Sequence, residues 1–393
     1  MRLAVAIIVA SPALAFAQKP IVLAKPDAEH AEPFSMITGV RELRDGRVLV
    51  SDNKDKVVLV IDFKGGSVKL GREGAGPGEY ALPNAIAALP ADSSAIWDGG
   101  NRRYLMILPD ARLGREFRLE PPEGLGPAGY GAFAATTPRG VDARGNIYFQ
   151  GSPFVSVGDG PAPADSIPVI KFDRARQRPE TVAYVRPPKG NATVTAAPGR
   201  GVSVTNGLAN PLVPLDAWAV LPDGKVAVLH GDPYRMDVYA ARTAKTSGPS
   251  VPFEKLRVDG AMKQSITAQR KRQLAGAAPR TRPGGGDAQN FPSGMLKQLM
   301  NLEPWPEYAP PFMRDAVIAR PLGATGQVWV LRVNRTEAEP ARYDVFDGAG
   351  RVVARVELPP KSRIVAFGNG TAYAVRTDDD ELQYLQRYRL PNI

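Results

Sequence analysis

The chain has 393 residues, with 50 Lys and Arg against 40 Asp and Glu and a formal net charge of +10. That length can bury one large core, and the basic balance points to anionic partners. It contains no cysteine, which excludes disulfides, thiolate catalysis, thiolate metal sites and a lipidated N-terminal cysteine.

Met1-Arg2 is a minimal positive start, Leu3–Ala10 is apolar, and Ala13-Leu14-Ala15 and Ala15-Phe16-Ala17 offer small-residue cleavage sites. This pattern predicts a secretory signal over residues 1–17, with Gln18 as the first mature residue and a single domain over 18–393. No later stretch approaches 18 uninterrupted apolar residues, so no transmembrane span is expected and the mature protein should be periplasmic or secreted. Much of the excess charge lies in Arg102-Arg103, Arg270-Lys271-Arg272, and Arg280 with Arg282. An envelope or extracellular protein, a peptide or an anionic ligand would suit such clusters. Nucleic acid would not be met there, and a monomer is expected.

From Met36 onward the sequence repeats a unit of short apolar runs separated by Asp- or Gly-rich turns. The first is Glu42–Asp52 followed by Val58–Phe63, the second Ile86–Leu89, Ala95–Asp98 and Tyr104–Leu108, the third Gly140–Phe149 and Val169–Asp173. The fourth is Trp218–Val228 and Met236–Tyr239, the fifth Gln327–Val333 and Tyr343–Gly350, the sixth Ile364–Phe367, Thr371–Val375 and Leu382–Arg389. Asp45-Gly46 and Asp223-Gly224 are two-residue hairpin signals, because glycine takes the positive φ those turns need. Steps of 48 and 51 residues separate Gly46, Ser94 and Gly145, the size of a propeller blade. The fold expected is all-β: a six-bladed β-propeller with a short helical insertion (260–315) between blades 4 and 5. Closing the ring requires an outer strand for blade 6, and the apolar run Pro20–Ala24 is expected to supply it.

Gly71, Arg72, Gly74, Gly76, Pro77, Gly78, Glu79 and Tyr80 end the first unit. With the preceding strands they resemble bacterial six-bladed propellers related to NHL-repeat and TolB-like proteins. The resemblance implies the fold over essentially the whole mature chain and says little of activity, since such rings host lyases, lactonases and binding scaffolds. The glycines do not read as a phosphate cradle: no Lys-Ser or Lys-Thr follows, Pro77 removes an amide, and a strand rather than a helix comes next. A joint between blades, fixed by Arg72 and Glu79, is expected instead.

The insertion predicts one helix over Ala261–Ala275, a break at Pro279–Asp287, a second helix over Ser293–Leu302, and a rigid aromatic segment Glu303–Tyr308. Arg270, Arg272, Trp305 and Tyr308 are its candidate binding residues. The additions Ser152–Ser166 and Pro187–Pro214 read as loops without visible chemistry.

Acid–base chemistry has few carriers, since His30 and His230 are the only histidines. His230 and Asp232, at the end of the strand Val226–Leu229, are candidate metal ligands. Propeller lactonases, by resemblance, place Glu, Asn and Asp around a central calcium, for which Glu42, Asn101, Asn146 and Asp216 qualify by type alone. The run Asp378–Glu381 suits either calcium or a solvated hairpin turn, and Asn191-Ala192-Thr193 and Asn334-Arg335-Thr336 match the glycosylation pattern by chance. No catalytic residue and no required cofactor is assigned. The function expected is non-catalytic binding through the ring mouth and the 261–315 insertion. The alternative is a calcium- or zinc-dependent hydrolase, lactonase or lyase with its site on the ring axis.

Overall fold

The computed structural model describes residues 19–118, 138–151, 154–157, 160–176, 178–187, 192–197, 201–206, 210–277, 300–313, 322–324 and 326–392. Six antiparallel sheets form a six-bladed propeller. Their strands, from the ring axis outward, are as follows. Blade 1 has Ile37–Glu42, Val48–Asp52, Val57–Asp62 and Gly66–Lys69; blade 2 has Pro83–Ala88, Ser94–Asp98, Arg103–Ile107 and Leu113–Phe117. Blade 3 has Gly140–Val141, Ile147–Gln150, Ile167–Asp173 and Arg178–Val185; blade 4 has Asp216–Val220, Val226–Gly231, Tyr234–Ala241 and Ala244–Ser247. Blade 5 has Leu322–Ala324, Gln327–Leu331, Ala341–Phe346 and Val352–Leu358; blade 6 has Ser362–Phe367, Thr371–Thr377 and Gln383–Arg389. The first strand of each blade touches the first strand of the next all the way round, and blade 6 returns to blade 1. Those six strands are the wall of the central channel.

Strand alternation makes the core. In blade 4, Ala217, Ala219, Ala227, Leu229, Met236 and Val238 face Val328, Val330 and Phe346 of blade 5, while Trp218, Val226 and Val228 face Tyr148, Val169 and Val185 of blade 3. Both faces of a blade are therefore buried, which is why these strands read as near-continuous apolar runs. Gly39 sets the close approach at the hub: a Cβ there would lie 2.7 Å from the Ile86 amide and 2.8 Å from the Asn84 carbonyl.

This connectivity gives the ring two unlike faces. The turns joining first to second and third to fourth strands lie on one face, the turn face. The loops joining second to third strands, and the crossings from blade to blade, lie on the other, the crossover face. The expected Asp-Gly turns belong to the turn face, with Gly46 at φ +85° and Gly224 at φ +86°. An Asp in each bonds a backbone amide of its own turn and pairs with a neighbouring base, as in Asp45–Arg47 and Asp223–Lys225.

The Gly71–Tyr80 segment is the joint between blades 1 and 2. Its amides serve a side chain of the same loop: Gly76 N donates to Glu79 Oε2 at 2.8 Å, and Arg72 Nε donates to Glu79 Oε1 at 2.8 Å. Arg103 of blade 2 donates to the Gly76 and Glu79 carbonyls, and the buried Tyr80 hydroxyl donates to Leu70 O.

The closure differs from expectation. Ile21–Val22 does not complete blade 6 but adds a parallel fifth strand to blade 5, with Ile21 opposite Val356 and Val22 opposite Glu357. Ala28–Glu29 is the outer strand of blade 6, opposite Arg387 and Gln386. Burial and charge account for this. Leu23 is buried with Val356 and Leu358 of blade 5. Asp27 pairs with Arg387, and Glu29 with Arg376 and Gln386, partners that blade 6 alone offers. The N-terminal segment thus straps two blades together, and His30 N and Phe34 N continue onto the carbonyls of Leu385 and Gln383.

Between blades 4 and 5 runs the helix Gly260–Ala277, bordered by the mutual bonds of the 256–258 and 307–309 segments. Residues 278–299, which include the expected break and most of the expected second helix, lie outside the described residues, as do 1–18 with the expected signal. The two additions to blade 3 contain hairpins, Phe154–Val157 with Gly160–Pro163 and Ala192–Ala197 with Gly201–Asn206, where loops were expected. Among the described residues no helix is long and apolar enough to cross a membrane.

Candidate functional site

The crossover face carries every long addition to the ring: both blade 3 hairpins and the 260–313 insertion lie in its loops. Its densest chemistry is at the seam of blades 3 and 4. Asp216 opens the innermost strand of blade 4, His230 lies directly across from it, and Arg235 lies across from His230 on the third strand. Asp237 is two residues further, so all four side chains share the blade face turned toward blade 3.

The ring of His230 is held at both nitrogens, with Nδ1 2.9 Å from Asp216 Oδ1 and Nε2 3.2 Å from Asp237 Oδ2. Arg186, which leaves the outer strand of blade 3, donates Nη2 to Asp216 Oδ1 at 2.9 Å and its backbone amide to Oδ2 at 2.9 Å. Arg186 Nη2 also reaches the carbonyl of Asp232 at 3.1 Å. Lys245 Nζ lies 3.1 Å from Asp237 Oδ2, and Arg235 Nη1 lies 3.0 Å from Oδ1. Burial alone would raise the Asp216 carboxyl, but hydrogen bonds from His230 and Arg186 outweigh it and hold the group below the usual carboxylate range. Burial likewise pushes Asp237 up, and the bonds from Lys245, Ser247 and His230 bring it below that range. Both carboxylates are almost wholly buried, whereas the Arg186 side chain is 57% exposed and Lys245 40%, so these two bases are where the cluster meets solvent.

A second buried carboxylate repeats the theme at the seam of blades 4 and 5. Asp344 Oδ2 accepts from Tyr234 Oη at 2.9 Å and from Arg332 Nη1 at 2.8 Å, and Arg355 Nε lies 3.4 Å from Oδ1. Arg332 also donates to Pro311 O and stacks over Tyr234 and Phe253, tying the end of the insertion to the ring.

The insertion is seated on the same face. Met262, Ile266, Leu302 and Ala309 pack with Leu212 and Val333, and Asn210 Nδ2 donates to Leu302 O at 2.6 Å. Arg272 pairs with Glu337 of blade 5 at 2.6 Å and Glu381 of blade 6 at 3.0 Å, so the helix reaches across three blades.

Of the sequence candidates, His230 is in the cluster but Asp232 is not: the Asp232 side chain is exposed, and His230 takes Asp216 and Asp237 instead. Trp305 lies beneath Lys263, 5.7 Å from its ring centre to Nζ, and Tyr308 is 45% exposed. Arg272 is engaged with its two glutamates, and Arg270 also has a partner. The four residues offered for calcium do not converge. Glu42 accepts from Thr371 and Tyr373, Asn101 donates to Asp98 and to Gly74 O, Asn146 donates to Asp142, and Asp216 serves His230 and Arg186. Asp378 caps its own turn through the amides of Asp380 and Leu382, and Asn334 holds its own loop through the Glu339 and Pro340 carbonyls. Asn191 lies outside the described residues. Among the described residues no group of three or more His, Asp and Glu is arranged to hold a metal ion. Asp237, Arg186, Arg235 and Lys245 were not anticipated. The only signal for Asp237 is a carboxylate inside the β-run Tyr234–Ala241.

No family model matches the chain, and no curated protein sequence matches it. Among solved structures the chain is similar to virginiamycin B lyase from Staphylococcus aureus, at 10% identity over 93% of this chain and 99% of that one, with a TM-score of 0.41. It is also similar to a gluconolactonase from Xanthomonas campestris, at 12% identity over 95% and 98%, with a TM-score of 0.42. A third is the calcium-binding protein regucalcin from Agrobacterium tumefaciens, at 11% over 95% and 98%, with a TM-score of 0.36. At these identities and scores the likenesses carry no argument about what this chain binds or converts.

Proposed function

We propose that this is an exported propeller that binds a protein, peptide or anionic ligand at its crossover face, with the insertion as the recognition element. One observation supports this most: the crossover face carries every long addition to the ring, and the insertion seated there offers the exposed Tyr308, the Lys263–Trp305 stack and the exposed base Arg257. The seam cluster beneath serves binding better than proton transfer, because both nitrogens of His230 are already occupied. The test is capture from the envelope fraction or culture fluid by the immobilised mature protein, set against a Tyr308→Ala, Arg257→Ala variant. Both side chains lie at the surface, so the variant should fold as wild type and lose capture. Undiminished capture would reject the insertion as the recognition element.

A second reading is a metal-dependent hydrolase, lactonase or lyase with its site on this ring. Its one observation within this chain is that His230 meets two buried carboxylates in that cluster, which as it stands is not arranged to hold a metal ion. A stoichiometric, tightly bound calcium or zinc in the purified protein, lost with Asp216→Asn, would favour this reading over simple binding.

A further inference from the structure

The turn face differs from the crossover face in relief and in charge. Each of its turns is five residues or shorter, from 43–47 in blade 1 to 347–351 in blade 5, so it is flat. Most of its turn carboxylates are spent locally, Asp110 on Arg112, Asp173 on Arg176 and Asp347 on Arg351, in the manner of Asp45 and Asp223, while the exposed Asp62 accepts from the Lys64 amide. Against that neutralised background stand exposed bases without any side-chain partner among the described residues. These are Arg44 and Lys64 in blade 1, Arg144 and Arg178 in blade 3, and Arg242 in blade 4. None of the exposed large hydrophobic residues (Val22, Val68, Leu82, Tyr184, Tyr308) lies in a turn of this face.

A flat face with dispersed cations that form no ion pair among the described residues complements a planar sheet of negative charge. We propose that the turn face adsorbs on an anionic lipid bilayer, which orients the ring axis along the membrane normal and turns the crossover face outward. With no exposed large apolar side chain among the described turn residues to insert, adsorption is electrostatic and salt-reversible. Each cation near an anionic bilayer strengthens binding roughly fivefold, so losing four of them should weaken it by about 600-fold.

The test is sedimentation of the mature protein with vesicles of phosphatidylcholine containing about a third phosphatidylglycerol, with pure phosphatidylcholine as reference. Binding is expected to the anionic vesicles only, and to vanish at high salt. The variant Arg44→Gln, Lys64→Gln, Arg144→Gln, Arg242→Gln should lose it. The variant Lys54→Gln, Arg102→Gln, Lys255→Gln, Arg335→Gln, of equal net charge but altered on the crossover face, should keep it. Equal loss in both variants would show that net charge rather than this face is responsible and would overturn the proposal. So would the absence of vesicle binding, or tight binding to dextran sulfate without binding to vesicles, which would assign the face to acidic polymers. None of these outcomes bears on partner capture by the insertion.

Discussion

Replacing Asp344 by Ala tests whether buried charge pairs hold the blade seams. Asp344 is 1% exposed and is the shared acceptor of Tyr234, itself 2% exposed, and Arg332. The substitution leaves a largely buried guanidinium and a buried hydroxyl without their acceptor, which costs about 3–5 kcal/mol. Unfolding entropy of about 2.1 cal/mol/K per residue over 393 residues amounts to about 0.8 kcal/mol/K, so Tm should fall by about 4–6 °C. Tyr234→Phe removes one hydrogen bond and leaves the charge pair in place, and should cost about 1.5–3 kcal/mol. Thermal and urea unfolding of both variants, read by circular dichroism, give the comparison. The reasoning fails if Asp344→Ala costs under about 1 kcal/mol, or matches Asp379→Ala, whose carboxylate meets Lys361 at 95% exposure.

Gly39→Ala should destabilise by about 1–3 kcal/mol, because the new methyl meets backbone atoms of blade 2 that cannot turn aside; urea midpoints measure it. Leu23→Ala should cost about 2–3 kcal/mol and speed amide exchange at 21–23 while sparing 28–30, since separate blades hold the two segments. The carboxyls of Asp216 and Asp237 are held below their ordinary range in the fold, so their stabilisation is present above the unfolded value near 3.9 and is lost as pH falls through the lower folded values. The stability gap between wild type and an Asp216→Asn, Asp237→Asn variant should therefore stay level from about pH 7 to pH 5 and close below about pH 4. A gap that widened on acidification would refute the assignment.

Local signals made the ring legible in the sequence. Apolar runs placed strands in all six blades, and Asp-Gly turns at Gly46 and Gly224 placed two hairpins, but the more polar outer strands Leu113–Phe117, Arg178–Val185 and Ala244–Ser247 gave no such signal. The Gly71–Tyr80 segment was legible too, because Pro77 and the strand that follows exclude a phosphate loop. What escaped depends on register between distant segments. Asp232 is two residues from His230, but the strand ends at Gly231 and Asp232 sits in the exposed turn beyond it, while the true partners lie 14 and 7 residues away across the sheet. The strand character of residues 21–22 was evident, while their edge was not. That choice is fixed by pairs such as Asp27 with Arg387, separated by 360 residues.

A photo-crosslinking residue at position 308, compared in living cells with one at position 178 on the turn face, tests the assignment of the crossover face most directly. The structure leads us to expect a discrete protein or soluble-ligand adduct from position 308, and from position 178 no protein adduct but at most lipid. A protein adduct from position 178 with none from position 308 would contradict it.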